Sequence, residues 1–125
     1  MGKYTAHVRS DGTEQSIKDH CENVSEIAGM FAKPLQLPEL ARLCGQMHDI
    51  GKYSARFQEH IQGLIGKVDH ASAGAQEIEK INNGGILKLM AESVIAGHHS
   101  GLLNVGSSKF ALASDGTLQD VLLRN

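Results

Sequence analysis

The sequence predicts an all-α helical bundle, and three observations carry that expectation. Apolar residues recur at helical spacing over most of the 125 residues. Serine, proline and glycine punctuate the chain where helices begin and end. No stretch alternates convincingly between apolar and polar residues as a half-buried strand does, and no internal repeat is present. One domain spanning residues 1–125 is expected from the length and the 41% hydrophobic content.

The elements follow in order. Residues 1–15 are polar with a turn at Asp11-Gly12. Ser16 is a suitable N-cap for a first helix, whose apolar positions are Ile17, Cys21, Val24, Ile27, Ala28 and Phe31 and whose end falls near Lys33-Pro34. Pro38 fits the first turn of a second helix with Leu40, Leu43, Cys44 and Met47 on its buried side, stopped by Gly51. Ser54 caps a short third helix through Ala55, Phe57, His60 and Ile61, which ends at Gly63. A fourth helix over about 70–82 is rich in small residues that allow close approach, and Asn82-Asn83-Gly84-Gly85 terminates it. A fifth runs from Ile86 to Ala96 and is closed by Gly97. Residues 104–116 turn to Gly, Ser and Ala and read as a loop, after which Thr117 caps a last turn through Leu118, Val121 and Leu122.

Composition limits the function. The net charge of −2 is too balanced to advertise a nucleic-acid partner by bulk electrostatics, so such a partner must be held locally by metal ions and a few basic side chains. Cys21 and Cys44 form no CxxC pair and sit within apolar helical patterns, which reads as free core thiols in a reducing compartment. No apolar run approaches the ~20 residues of a membrane span, and the start lacks an apolar signal core. A cytoplasmic protein with no membrane partner is expected.

The chemistry lies in the histidines. Five of seven fall into four islands, Asp19-His20, His48-Asp49, Asp69-His70 and His98-His99, separated by predicted helices. Imidazole and carboxylate suit Mn, Fe, Ni, Co or Zn, whereas Mg prefers an all-oxygen shell. His48 and Asp49 are ~100° apart on a regular helix, but at a frayed helix end both can reach one metal cluster. Asp49 has two oxygens on a short stem and is the natural bridge between two ions ~3.5–4 Å apart. His98-His99 can act similarly after Gly97 frees the backbone. Any one of these histidines alone reads as a surface or core residue; two doublets with flanking glycines do not. His60 reads as a surface residue, and Asp19 and Asp69 as helix N-terminal charges or partners of the neighbouring histidines.

Taken in order, His20, Met47-His48-Asp49-Ile50-Gly51-Lys52, Asp69-His70-Ala71-Ser72-Ala73-Gly74-Ala75 and Gly97-His98-His99-Ser100-Gly101-Leu102 resemble the HD superfamily of metal-dependent phosphohydrolases. Within it they resemble the HD nuclease of the nuclease-helicase of type I CRISPR interference. Ala6-His7-Val8-Arg9 and the terminal Gly116-Thr117-Leu118-Gln119 look most like the I-C subtype.

That resemblance implies two metal sites. His20, His48 and Asp49 would hold one ion with a later aspartate, and Asp49 would bridge to a second held by His70, His98 and His99. Lys52 would meet a phosphate, the alternative being a solvated helix-end lysine; His7 would be a substrate contact at the rim, not a ligand. Arg9, Arg56 and Lys67 are further candidates for phosphate contact, with plain surface solvation the simpler role for Arg56 and Lys67. The implied catalytic set is Asp49, His48 and Lys52, the substrate-binding set His7, Arg9 and Lys52, and the reaction is hydrolysis of single-stranded DNA by a metal-activated water. A helicase domain and an RNA-guided surveillance complex would be the partners in antiviral defence.

Only five aromatic residues are present, so an extended base-stacking platform is not evident. After His99 only Asp115 and Asp120 remain, neither in the family's surrounding pattern. The bundle is therefore expected to be incomplete at its C-terminus, with one metal shell lacking a carboxylate and with exposed apolar surface that favours self-association. Two rival readings share the metal core: a phosphohydrolase of small nucleotides, and a non-catalytic metal-binding remnant.

Overall fold

A computed structural model describes residues 4–101 and 117–123. The expected loop at 104–116, including Phe110 and Asp115, lies outside the described residues, as does the side chain of Asp120.

The fold is helical, with one small exception. An antiparallel hairpin pairs β1 (Thr5–Val8) with β2 (Glu14–Ser16) around the predicted Asp11-Gly12 turn. The sequence predicts no strand here, because a register shift between Thr5 and His7 buries the adjacent residues Thr5 and Ala6 and erases the alternation that marks a strand. Gln58 braces the hairpin from outside. Its Oε1 accepts from Thr5 N at 3.1 Å, and its Nε2 donates to Thr5 O at 3.1 Å and Lys52 O at 2.8 Å.

The chain enters α1 (Ile17–Ala32) through Ser16, whose hydroxyl accepts from Asp19 N as an N-cap should. Asp19 returns the contact through its carboxylate, 2.6 Å from Ser16 Oγ, so its role is helix capping. Of the expected apolar set of α1, Ile17 and Cys21 are buried and Val24 and Ala28 half-buried, but Ser25 and Gly29 complete the buried stripe while Ile27 is exposed and Phe31 is 80% exposed. Small residues win these positions because α1 packs closely on α2 (Pro38–Met47), where Ser25 Oγ donates to Arg42 O at 2.9 Å.

A 3-10 turn over Ile50–Tyr53 leads to α3 (Ala55–Ile61), capped by Ser54 and stopped at Gly63 with φ 78°. Helix α4 (Ala71–Glu79) ends three residues before the predicted point, with Asn83 and Gly85 at positive φ in the connection. It packs on α5 (Gly85–Gly97) and on α6 (Leu118–Leu123). The core lies there: Ala75, Ile78, Ala91, Ile95, Leu118 and Val121 are buried together, with Met47 and Leu43 of α2 packed against them. Burying Ile78, Ile95, Leu118 and Val121 supplies ~1.5–3 kcal/mol each before entropy is charged against it. A smaller cluster of Ala6, Ile17 and Cys21 anchors the hairpin to α1. Both cysteines are free, as expected, and burial pushes both thiols up. No helix among the described residues is long and apolar enough to cross a membrane.

Candidate metal centre

Each island sits where a helix starts or stops, except His20, which lies one turn into α1. Helix α2 ends at Met47; His48 keeps helical dihedrals while Asp49, at φ −114° and ψ 15°, leaves them. That break lets neighbouring side chains reach one centre. His70 immediately precedes α4, and His98 and His99 follow Gly97 at the end of α5. Two glycines permit the convergence. A Cβ on Gly51 would run into the His70 carbonyl, and a Cβ on Gly74 into the Met47 carbonyl and within 2.8 Å of Ile95 Cγ2.

The islands meet on Asp49, which is only 2% exposed. Its Oδ2 lies 3.0 Å from His20 Nε2, 3.3 Å from His48 Nε2 and 2.8 Å from Lys52 Nζ. Its Oδ1 lies 3.4 Å from His70 Nε2 and 3.3 Å from His98 Nε2. His20 and His48 face each other Nε2 to Nε2 at 3.2 Å, and His70 and His99 at 2.7 Å. Ligands at ~2.0–2.2 Å from a metal ion stand ~3.0–3.5 Å apart for octahedral to tetrahedral angles, so both oxygens carry donor sets of suitable spacing.

Hydrogen bonding argues the same way. His48 Nδ1 lies 2.6 Å from Gly45 O, and His98 Nδ1 lies 2.7 Å from Ile95 O. A carbonyl only accepts, so each Nδ1 carries a proton, and Nε2 is the nitrogen each ring turns toward Asp49 as a metal donor. His70 leans on Val68 O in the same sense at 3.4 Å. Asp49 Oδ1 and His98 Nε2 are both buried, and neither has a hydrogen-bond partner among the described residues. Two lone pairs held together at 3.3 Å need a cation between them, either a proton on His98 or a metal ion. The residues present therefore fit a divalent transition metal. Asp49, His70, His98 and His99 form one group with ligand atoms within 4.8 Å of one another; His7, His20 and Asp49 form another.

Charge is arranged to suit. Burial opposes ionisation of Asp49, but the His48 and His98 rings and the Lys52 ammonium packed against it outweigh burial and hold the carboxyl far below the usual range. Burial lowers the pKa of His20, His70 and His99 and so favours the neutral rings that ligate metal. His98 is the exception, raised chiefly by its contact with Asp49.

Lys52 is not solvated. It is 4% exposed, ion-paired with Asp49, 3.4 Å from both Ala6 O and His7 Nε2, and stacked over Phe57. Its three ammonium protons thus face protein acceptors, so the structure gives it the role of holding Asp49. His7 stands on the hairpin with its ring edge-on to His20, centroids 4.7 Å apart, close enough to count with the nitrogen donors. Nothing local in the sequence marks that proximity, because it depends on the hairpin. Arg9 lies at the exposed hairpin turn, where its backbone bonds to Thr13 and Gly12. His60 stacks on Phe57, with Nδ1 3.3 Å from Ile65 O, and takes no part in the cluster. Asp69 caps α4: Oδ1 accepts from Ala71 N and Ser72 N, and Oδ2 from Ser72 Oγ at 2.5 Å.

Comparison with known families agrees with the site. The HD domain family matches residues 17–116, which takes in every island. No curated protein and no solved structure matches the chain. HD domains are in general metal-dependent phosphohydrolases, and the cluster around Asp49 is a donor set of that kind. On the strength of that match and that cluster, the chain belongs to the HD-domain family of metal-dependent hydrolases.

Proposed function

We propose that this chain is a metal-dependent phosphodiesterase that cuts single-stranded DNA, acting as the nuclease of a type I CRISPR system beside a helicase domain and an RNA-guided surveillance complex. The observation that carries the phosphodiesterase reading is Asp49, met on Oδ2 by His20 and His48 and on Oδ1 by His70 and His98. A carboxylate so surrounded is suited to bridging two ions. The DNA and CRISPR parts of the proposal rest on the order of the HDIGK, DHASAGA and GHHSGL segments and on the flanking Phe57-Gln58.

In this reading His20, His48 and Asp49 would hold one Mn, Fe, Ni or Co ion, with His7 alongside, and Asp49, His70, His98 and His99 would hold the other. Such ions, when bound, supply Lewis acidity to phosphoryl oxygens and a water-derived nucleophile at neutral pH. The side chains supply the rest. Carbonyl bonds at Nδ1 aim His48 and His98, and Lys52 fixes Asp49 by charge. Burial favours the neutral forms of His20, His70 and His99. The exposed Phe31 and Leu35 support self-association through the α1 end of the molecule.

The test is metal stoichiometry followed by turnover. Two ions per chain are expected, and Ala variants at His70, His98 and His99 should each lose one ion to a similar degree; loss at only one position breaks the shared-ion assignment. With Mn or Ni added, single-stranded DNA should be cleaved in preference to nucleoside monophosphates and cyclic dinucleotides. Cleavage of nucleotides but not DNA overturns the nuclease reading in favour of a small-nucleotide phosphohydrolase.

A further inference from the structure

Two clefts adjoin the loop that precedes α4. The inner one, about 490 Å³, is lined by His70, His99 and Ser100 of the metal centre's outer edge. The other, about 510 Å³, is lined by Arg56 and Gln76. Lys67, Val68, Asp69 and Ser72 line both, so the loop forms a saddle between them. Each cleft alone is of small-ligand size, in the ~300–1,000 Å³ range. Two in series suit a longer substrate.

The charge along this path is positive where a backbone would need it. Lys67 is exposed and, among the described residues, in no ion pair; the same holds for Arg56. Asp69 is the acid on the saddle, but its carboxylate is turned to the start of α4, where it accepts from Ala71 N, Ser72 N and Ser72 Oγ. Lys67 and His99 line the same inner cleft.

We propose that Lys67 seats the phosphate next to the scissile one, so that the centre at Asp49, His70 and His99 acts on a nucleotide strand that crosses the saddle toward Arg56 rather than on a mononucleotide. This inference rests on the single-stranded DNA reading above. Lys67 is a positioning residue here and takes no part in metal binding.

Binding of a labelled oligothymidylate to the metal-loaded chain, read by fluorescence anisotropy before turnover at several salt concentrations, tests it. For single strands each phosphate contact contributes ~0.7 to the slope of log K against log salt. Lys67→Ala should reduce the slope by ~0.7, weaken low-salt binding several-fold and raise KM more than it lowers kcat. Lys67→Arg should restore the slope. Metal content and hydrolysis of bis(p-nitrophenyl) phosphate, a diester with one phosphate, should not change. An unaltered slope in Lys67→Ala, against a wild type that binds the oligonucleotide, overturns this inference alone. A wild type that holds metal but binds no oligonucleotide sinks the single-stranded DNA reading itself, and the saddle proposal with it.

Discussion

Replacing Asp49 with alanine should do two separable kinds of damage. The first is to metal: both donor groups contain Asp49, so both ions are expected to be lost. The second is to the fold, through Lys52, whose side chain is 5% exposed and whose anionic partner is Asp49 at 2.8 Å. Breaking a buried ion pair from one side costs ~3–5 kcal/mol, because the remaining charge stays buried without compensation. Against a total stability of ~5–15 kcal/mol that is a large share. For a chain of this size ~1 kcal/mol corresponds to a shift of ~4 °C, so the variant should melt ~12–20 °C below wild type. The comparison belongs in chelator, followed by far-UV circular dichroism, so that metal linkage adds nothing to either protein. The double variant Asp49→Ala/Lys52→Met should recover most of the lost melting temperature while its metal content, measured by plasma mass spectrometry, stays near zero. Full metal content in Asp49→Ala refutes the bridge. A double variant no more stable than the single one refutes the stranded-lysine argument.

Two further outcomes concern packing and pH. Gly74→Ala should destabilise by ~1–3 kcal/mol despite the better helix propensity of alanine, because the new Cβ meets the backbone carbonyl of Met47; a lower denaturant midpoint at unchanged m-value is the readout, and a raised midpoint contradicts it. Glu92 is 3% exposed, and its carboxyl is pushed up to about 7 by burial first and then by Glu79, while Glu79 is lowered chiefly by its hydrogen bond with Glu92. The folded state therefore keeps a proton that the unfolded chain releases near its ordinary value of 4.5, so Glu92's contribution is fully present below about pH 4.5 and is lost as pH rises through about 7. Glu92→Gln should flatten that fall between pH 5 and 8 in urea titrations, and an equal fall in the variant rules Glu92 out as its source.

Helix boundaries were legible because their chemistry is local. Ser16 and Ser54 cap with their own side chains, Pro38 opens α2, and Gly63 takes the positive φ that ends α3. Burial was less legible where packing is set by small size rather than by hydropathy. The sequence pattern puts Ile27 and Phe31 inside, yet the close α1–α2 contact selects Ser25 and Gly29. At the site, the islands named the residues that surround Asp49, and the break after His48 fell where adjacent ligands need it. Lys52 was named, but its burial was hidden because it depends on the hairpin carbonyl of Ala6, 46 residues away in sequence. His7 was expected at the rim as a substrate contact; that it stands among the nitrogen donors was hidden for the same reason, because its neighbours are brought together only by a strand pairing that the bulge disguises.

The Gln58 side chain has a consequence for how the hairpin behaves in a crowded solution. It meets Thr5 with one acceptor and one donor, the exchange that an opposed residue of an adjoining antiparallel strand would make. A two-stranded ribbon ordinarily leaves its outer rim ready to recruit a strand from another molecule. Here a single amide occupies the recruiting position and is itself pinned to the Lys52 carbonyl. Gln58 thus works as a one-residue false strand, blunting the ribbon at Thr5 against chain-to-chain pairing.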